Sequence, residues 1–143
     1  RVIEQLAGCP PAEIHSLYGA SAYRRYEHRA LEAVIAEHPR AVIASPGGLV
    51  SEPSTFTMLL AHCFTVWLQA TPEEHMRRVV AQGDLRPMSG NREAMDDLKR
   101  ILAGRSELYG RADMTFDTSD KTLADAYLQL RDRIAARLGA EME

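Results

Sequence analysis

The sequence has few cysteines, no long apolar run and no excess of basic residues, and each of these features narrows the possible functions. Cys9 and Cys63 form no CxxC motif. Without a secretory leader or an apolar run of membrane-spanning length, this favours a cytoplasmic protein without a disulfide. The formal charge of −3 and the pI of about 6.0 argue against direct binding of a nucleic-acid backbone by residues 1–143. The five histidines lie in no HExxH motif or Cys/His cluster, so we predict no bound metal.

The pattern of apolar residues predicts an α/β fold. With 143 residues, of which 45% are hydrophobic and 26% charged, the chain fits one globular domain over residues 1–143. Amphipathic helices alternate with apolar strands at residues 41–45, 65–70 and 114–119. This alternation predicts a three-layer arrangement, a parallel sheet flanked by helices. Three strands are few for such a sheet. We therefore expect further strands before residue 1 and exposed apolar surface at the adjoining sheet edge.

Local signals predict where several helices begin and end. Gly19 has the position of a helix C-cap, and Ser51 that of an N-cap. Thr71, Pro72 and Glu74 have the spacing of a capping box at the start of a helix. These signals set the predicted boundaries between strands and helices.

A Pro-Gly-Gly turn, residues 46–48, follows the first predicted strand. In parallel sheets, ligands bind beyond the carboxyl ends of the strands, and glycines there let a ligand approach the backbone. A tight strand-to-helix turn that needs positive φ is the competing interpretation. The turn alone does not decide between them.

The order of short segments resembles shikimate kinase over essentially the whole chain. The segments are IEQLAG, EIHSLYG, YRRYE, PGGLV, RP, AGRSELY and FDTS, which correspond to the family's IE…G, EIF…G, FRxxE, GGG, RP, RxxLY and DT. The resemblance implies two groups of binding residues. Those for the acid substrate are Arg24, Glu27, Gly47, Gly48 and Arg105, and those for the nucleotide are Arg86, Asp117 and Thr118.

Each of these assignments has a plainer alternative. Arg24 and Glu27, spaced i, i+3, could be a solvated surface pair. Arg86, before Pro87, could be an exposed loop residue. The segment Asp117-Thr118-Ser119 could be a turn sequence only.

The sequence also departs from the kinases. Pro46 stands where the family has its first glycine, and no GxxxxGK[ST] phosphate-binding motif is present. The fold predicted is therefore shikimate-kinase-like but without the N-terminal strand and P-loop. No catalytic residue and no cofactor are assigned to these residues, and ATP and Mg²⁺ would be needed only if the protein is a kinase.

The stretches 44–88 and 90–105 resemble the C-terminal domain of the BzdR and BoxR type of transcriptional regulators, and the resemblance covers residues 1 to about 130. The segments SEPSTF, VVAQGD and EAMDDL are more specific to this group than to the kinases. That resemblance implies a non-enzymatic, effector-sensing domain that responds to an aromatic acyl-CoA such as benzoyl-CoA. It also implies a homodimer that contacts DNA only through an upstream helix-turn-helix domain. The alternative is a shikimate kinase that transfers the γ-phosphate of ATP to shikimate, with its P-loop upstream of residue 1.

Overall fold

The computed structural model describes residues 1–83 and 91–141, with the side chains of residues 91, 140 and 141 left out. By their contacts the residues group into two compact units, Arg1–Thr65 and Val66–Glu143. The first unit contains α1 (Val2–Ala7), α2 (Pro11–Glu37), a 3-10 helix (Gly47–Ser51) and α3 (Pro53–His62). The second contains β1 (Val66–Gln69), α4 (Pro72–Ala81), α5 (Asn91–Tyr109), β2 (Met114–Asp117) and α6 (Leu123–Glu141).

Glycines end or interrupt the helices of the first unit. Gly8 closes α1 in the left-handed conformation, with φ of 77°, and its N–H donates to the Glu4 carbonyl. Gly19 lies within α2 at φ 84° and ψ 174°, so α2 is two helical segments that meet at a kink. Only glycine adopts such angles without strain. The helix end predicted at Gly19 is confirmed as this break.

The core of the first unit forms around α2. Ile14, on the first segment of α2, and Ala22 and Tyr23, on the second, are buried together. Ile3 and Ala7 of α1 pack against them. Apolar side chains on both sides of Gly19 thus share one cluster, and this packing stabilises the kink.

The sheet lies in the second unit. β1 and β2 run parallel, with Val66 opposite Met114 and Gln69 opposite Asp117. The chain between them includes α4 and α5, because parallel neighbours need a long crossover connection. Phe116 of β2 is 1% exposed, and the guanidinium of Arg133 on α6 lies 5.6 Å from its ring centre. A small parallel sheet flanked by helices is confirmed.

Two expectations about local structure are wrong. Residues 41–46 form no strand: among the described residues the sheet contains β1 and β2 only, and Val42 is fully exposed. A strand exists only where a partner takes up its backbone hydrogen bonds, which its own sequence does not supply. Ser51 is not the N-cap of α3, because it ends the 3-10 helix and Glu52 takes the cap position.

The capping box at α4 is half formed. The Thr71 hydroxyl accepts a hydrogen bond from the Glu74 N–H at 3.2 Å, as predicted. The Thr71 N–H, however, donates to the Ser119 hydroxyl, and the Glu74 carboxylate pairs with Arg77 and Arg78 instead.

Within residues 1–83 and 91–141, no helix is both long enough and apolar enough to cross a membrane.

Candidate functional site

The first unit brings together three of the predicted site residues, Arg24, Glu27 and Gly48. Arg24 and Glu27 lie on α2 one turn apart, so they share a face of the helix. Arg24 Nη1 donates to Glu27 Oε1 at 2.8 Å. Gly48 lies so near that a Cβ added to it would be 2.6 Å from Arg24 Nη2. A glycine at this position therefore gives the guanidinium room to lie against the turn.

The pair is not a solvated surface ion pair. The Glu27 side chain is 2% exposed and that of Arg24 25%. Glu27 Oε2 is buried and has no hydrogen bond to any described residue. A buried carboxylate is costly unless it is paired, so Glu27 holds the positive charge of Arg24 close to it. Arginine has five N–H donors, and those not used by Glu27 remain available to an anionic ligand.

Aromatic rings border the same pair. The Tyr23 ring centre lies 5.4 Å from Arg24 Cζ, and the His15 ring stacks on Tyr23 at 4.3 Å. Burial raises the pKa of the Tyr23 hydroxyl, and the negative charge of Glu27 raises it further. Tyr23 is therefore neutral at physiological pH, and it lines one side of the Arg24 guanidinium.

The Pro-Gly-Gly turn begins a 3-10 helix instead of following a strand. Pro46 precedes it with φ of −61°, and the Leu49 N–H donates to the Pro46 carbonyl at 3.1 Å. Neither Gly47 nor Gly48 has a positive φ. The turn therefore does not depend on the left-handed conformation, and the contact of Gly48 with Arg24 is the structural reason for a glycine there.

The second unit contains a polar cluster at the carboxyl ends of its two strands. The N–H and hydroxyl of Thr118 both donate to the Gln69 carbonyl, at 2.8 Å and 2.9 Å. Arg78 of α4 donates to the Thr118 hydroxyl at 2.8 Å and to its carbonyl at 2.9 Å. Together these bonds join the ends of β1 and β2. This is the edge at which ligands bind in open parallel sheets.

Asp117 closes a tight turn after β2. Its Oδ1 accepts from the Ser119 N–H at 2.9 Å, and this hydrogen bond is the main cause that lowers the pKa of Asp117. Asp120 follows with φ of 57°, a conformation that aspartate tolerates better than most residues. The turn interpretation of Asp117 thus has direct support in these contacts.

Two further predicted site residues are Arg105 and Arg86. Arg105 lies half-buried on α5. Arg86 lies outside the described residues. Within residues 1–83 and 91–141, no group of three or more histidine, cysteine or acidic side chains could hold a metal ion.

Arg78 was missed by sequence reasoning. A basic residue in the last turn of a helix is common, and nothing in the local sequence pairs it with Thr118, 40 residues later. Its position one turn after Glu74, on the helix that follows β1, is the only pattern that could have drawn attention to it.

The second unit, a parallel sheet with polar residues at its strand ends, has the layout of α/β folds that bind ligands at that edge. The family model that matches the chain is that of shikimate kinase, over residues 1–135. The chain belongs to the shikimate kinase family.

Individual relatives agree with this. The chain is 33% identical to a shikimate kinase of Synechococcus sp. (strain CC9605) over 132 residues, which cover 90% of this chain and 65% of that protein. Two solved structures are similar in fold. The shikimate kinase of Bacteroides thetaiotaomicron has a TM-score of 0.81 at 21% identity, with 96% of this chain and 79% of that one covered. The shikimate kinase of Acinetobacter baumannii in complex with shikimate has a TM-score of 0.77 at 20% identity, with 99% and 76% covered.

The chain spans about two thirds of the length of the curated relatives it matches first, 65% of one and 68% of the next. These relatives are shikimate kinases, and the family model that matches the chain describes shikimate kinases too. The expectation of a non-enzymatic, benzoyl-CoA-sensing regulator with an attached DNA-binding domain is therefore wrong. It depended on segments taken as more specific to the regulators than to the kinases, whereas the family model and the curated relatives are shikimate kinases. The homodimer stays a prediction.

Proposed function

We propose that this chain belongs to a shikimate kinase, which transfers the γ-phosphate of ATP to shikimate, and that it contributes binding residues for both substrates. The observation that carries the proposal is the buried pair of Arg24 and Glu27 against Gly48. Membership of the family and the similarity to named shikimate kinases support it.

Arg24 is the proposed anchor for the carboxylate of the acid substrate. A guanidinium binds a carboxylate through two parallel hydrogen bonds, which fixes both its position and its orientation. Glu27 takes one donor, Nη1, and limits the rotation of the side chain. The Arg24 side chain is 25% exposed, so a ligand can reach it. Glycines 47 and 48 give the substrate access to the backbone of the turn, and Arg105 is the proposed second cation for the carboxylate.

Asp117 and Thr118 are the proposed contacts on the nucleotide side, together with Arg86. Thr118 is fixed by Arg78 and by the Gln69 carbonyl, so the backbone at the end of β2 is held in one conformation. A rigid strand end suits recognition of a flat base by its edge. The 143 residues contain no GxxxxGK[ST] motif, and the proposal therefore assigns them substrate recognition and not the phosphate cradle.

The test is shikimate-dependent consumption of ATP by the full-length protein. Replacing Arg24 by lysine removes the planar fork but keeps the charge, so the KM for shikimate should rise about tenfold or more while the KM for ATP stays unchanged. Arg25→Lys is the matched control, because Arg25 is the exposed neighbour on the same helix. Absence of shikimate-dependent turnover in the unmodified protein would overturn the proposal.

A further inference from the structure

A second side-chain contact joins α2 to the stretch of chain that carries Gly48. His28 Nδ1 and the Thr55 hydroxyl oxygen lie 2.8 Å apart and share a hydrogen bond. His28 lies on α2 one turn after Arg24, and Thr55 lies in the first turn of α3, shortly after the 3-10 helix. This bond and the contact of Arg24 with Gly48 therefore join the same two stretches of chain.

The surroundings of Thr55 make this bond a lasting one. Thr55 is 0% exposed, and within residues 1–83 and 91–141 the His28 ring is the partner of its hydroxyl. A buried hydroxyl that loses its partner pays the full cost of its lost hydration. Because a hydroxyl both donates and accepts, the bond persists whichever nitrogen of the imidazole carries the proton. The bond therefore ties α2 to α3 without depending on the tautomer.

The chain is held differently on the two sides of the Pro-Gly-Gly turn. Before the turn, residues 38–46 form neither helix nor strand. After it, Leu49 and Val50 are buried and α3 packs against α2. Apolar burial is non-directional, whereas a hydrogen bond restrains both a distance and an angle. The bond between His28 and Thr55 thus supplies a directional restraint on the turn from its C-terminal side.

We propose that His28 and Thr55 are positioning residues for the acid substrate: their hydrogen bond holds the start of α3, and with it the turn, at the distance from α2 that places Gly48 against Arg24. This inference rests on the proposed function and deepens it. The distance matters because a Cβ at residue 48 would already lie 2.6 Å from Arg24 Nη2. A displacement of about 1 Å in a substrate-positioning group can cost up to about 100-fold.

The experiment compares Thr55→Val and Thr55→Ser with the unmodified full-length protein. Valine keeps a buried branched side chain but has no hydroxyl, whereas serine keeps the hydroxyl and loses a buried methyl group. The His28 side chain is 32% exposed, so water can take up its ring nitrogen in Thr55→Val. Calorimetric titration with shikimate, without ATP, measures affinity, and steady-state turnover separates KM from kcat.

In Thr55→Val the KM for shikimate should rise about three- to tenfold, which corresponds to the net value of one hydrogen bond. Thr55→Ser should bind shikimate as the unmodified protein does, even though its lost methyl group lowers the unfolding temperature. The values of kcat and of the KM for ATP should stay unchanged in both. A purely structural role would instead make the KM for shikimate follow the unfolding temperature.

A double-mutant cycle tests the bond itself. His28→Leu and Thr55→Val each remove the bond, so the double variant should raise the KM for shikimate no further than the larger of the two single effects. Thr57→Val is the matched control, since Thr57 is exposed on the same helix and should give wild-type values.

An unchanged KM for shikimate in Thr55→Val would overturn the inference and leave the proposed function intact. Equal rises in Thr55→Val and Thr55→Ser would also overturn it, because the hydroxyl would then not be the group that positions the turn. Fully additive effects in the cycle would overturn it for the same reason. If the unmodified protein does not bind shikimate, both the proposed function and the inference fail.

Discussion

Replacing Gly48 by alanine should weaken binding of the acid substrate far more than it destabilises the fold. The added Cβ would lie 2.6 Å from Arg24 Nη2, whereas an ordinary van der Waals contact begins at 3.4 Å, so the guanidinium must retreat by about 0.8 Å. A displacement of about 1 Å in a substrate-positioning group can cost up to about 100-fold. We therefore expect kcat/KM for shikimate to fall by about 10- to 100-fold.

The cost to folding should be small for two reasons. The backbone at residue 48 does not have a positive φ, and the atoms met first are the far end of a flexible side chain. The free energy of unfolding measured in urea should therefore change by less than about 1 kcal/mol, as is usual for substitutions that leave the core intact.

Gly139→Ala is the matched control for this prediction. A Cβ at residue 139 meets nothing within 4 Å, and the residue lies in α6. Alanine there should stabilise the helix by up to about 1 kcal/mol and leave kinetics unchanged. An unchanged KM for shikimate in Gly48→Ala would refute the assignment of Arg24 as the anchor, as would a loss confined to the KM for ATP.

Two further predictions concern the charges of α2. Arg24→Ala should lower the free energy of unfolding by about 2 to 3 kcal/mol, because it leaves the Glu27 carboxylate buried without its ion pair. In the double variant Arg24→Ala with Glu27→Gln, the free energy of unfolding measured in urea should rise again by about 1 kcal/mol, while shikimate binding should not return. A double variant no more stable than Arg24→Ala alone would contradict this. The second prediction is alkaline destabilisation through Tyr23, whose raised pKa keeps the proton in the folded state while an unfolded tyrosine loses it near pH 10. The free energy of unfolding should thus fall as pH rises above about 10, and it should fall less steeply in Tyr23→Phe. If the urea midpoints of the two proteins depend on pH in the same way, the raised pKa of Tyr23 is contradicted.

Local features of the fold were predictable from the sequence. The break at Gly19 and the cap at Thr71 depend on residues within one helical turn, whose conformational preferences are largely their own. The strand at 41–45 was not predictable in the same way, because its hydrogen bonds depend on distant residues. Ser51 failed as an N-cap because the 3-10 helix before it continues through that residue.

The candidate site was predictable only in part. The i, i+3 spacing of Arg24 and Glu27 indicated a pair, but not that Glu27 is buried. The contact of Gly48 with Arg24 joins residues 24 positions apart and follows only from the fold. The regulator hypothesis failed for another reason: short segments shared with a subgroup were given more weight than the succession of motifs along the chain.

The pairing of β1 with β2 has a consequence for the speed of folding. The register joins Val66 to Met114, which lie 48 residues apart in the chain, and α4 and α5 lie between them. Closing a loop of that length costs entropy before any strand hydrogen bond forms, whereas α4 and α5 need only local contacts. We expect the two helices to form first and the sheet to appear later, in the slow phase of refolding.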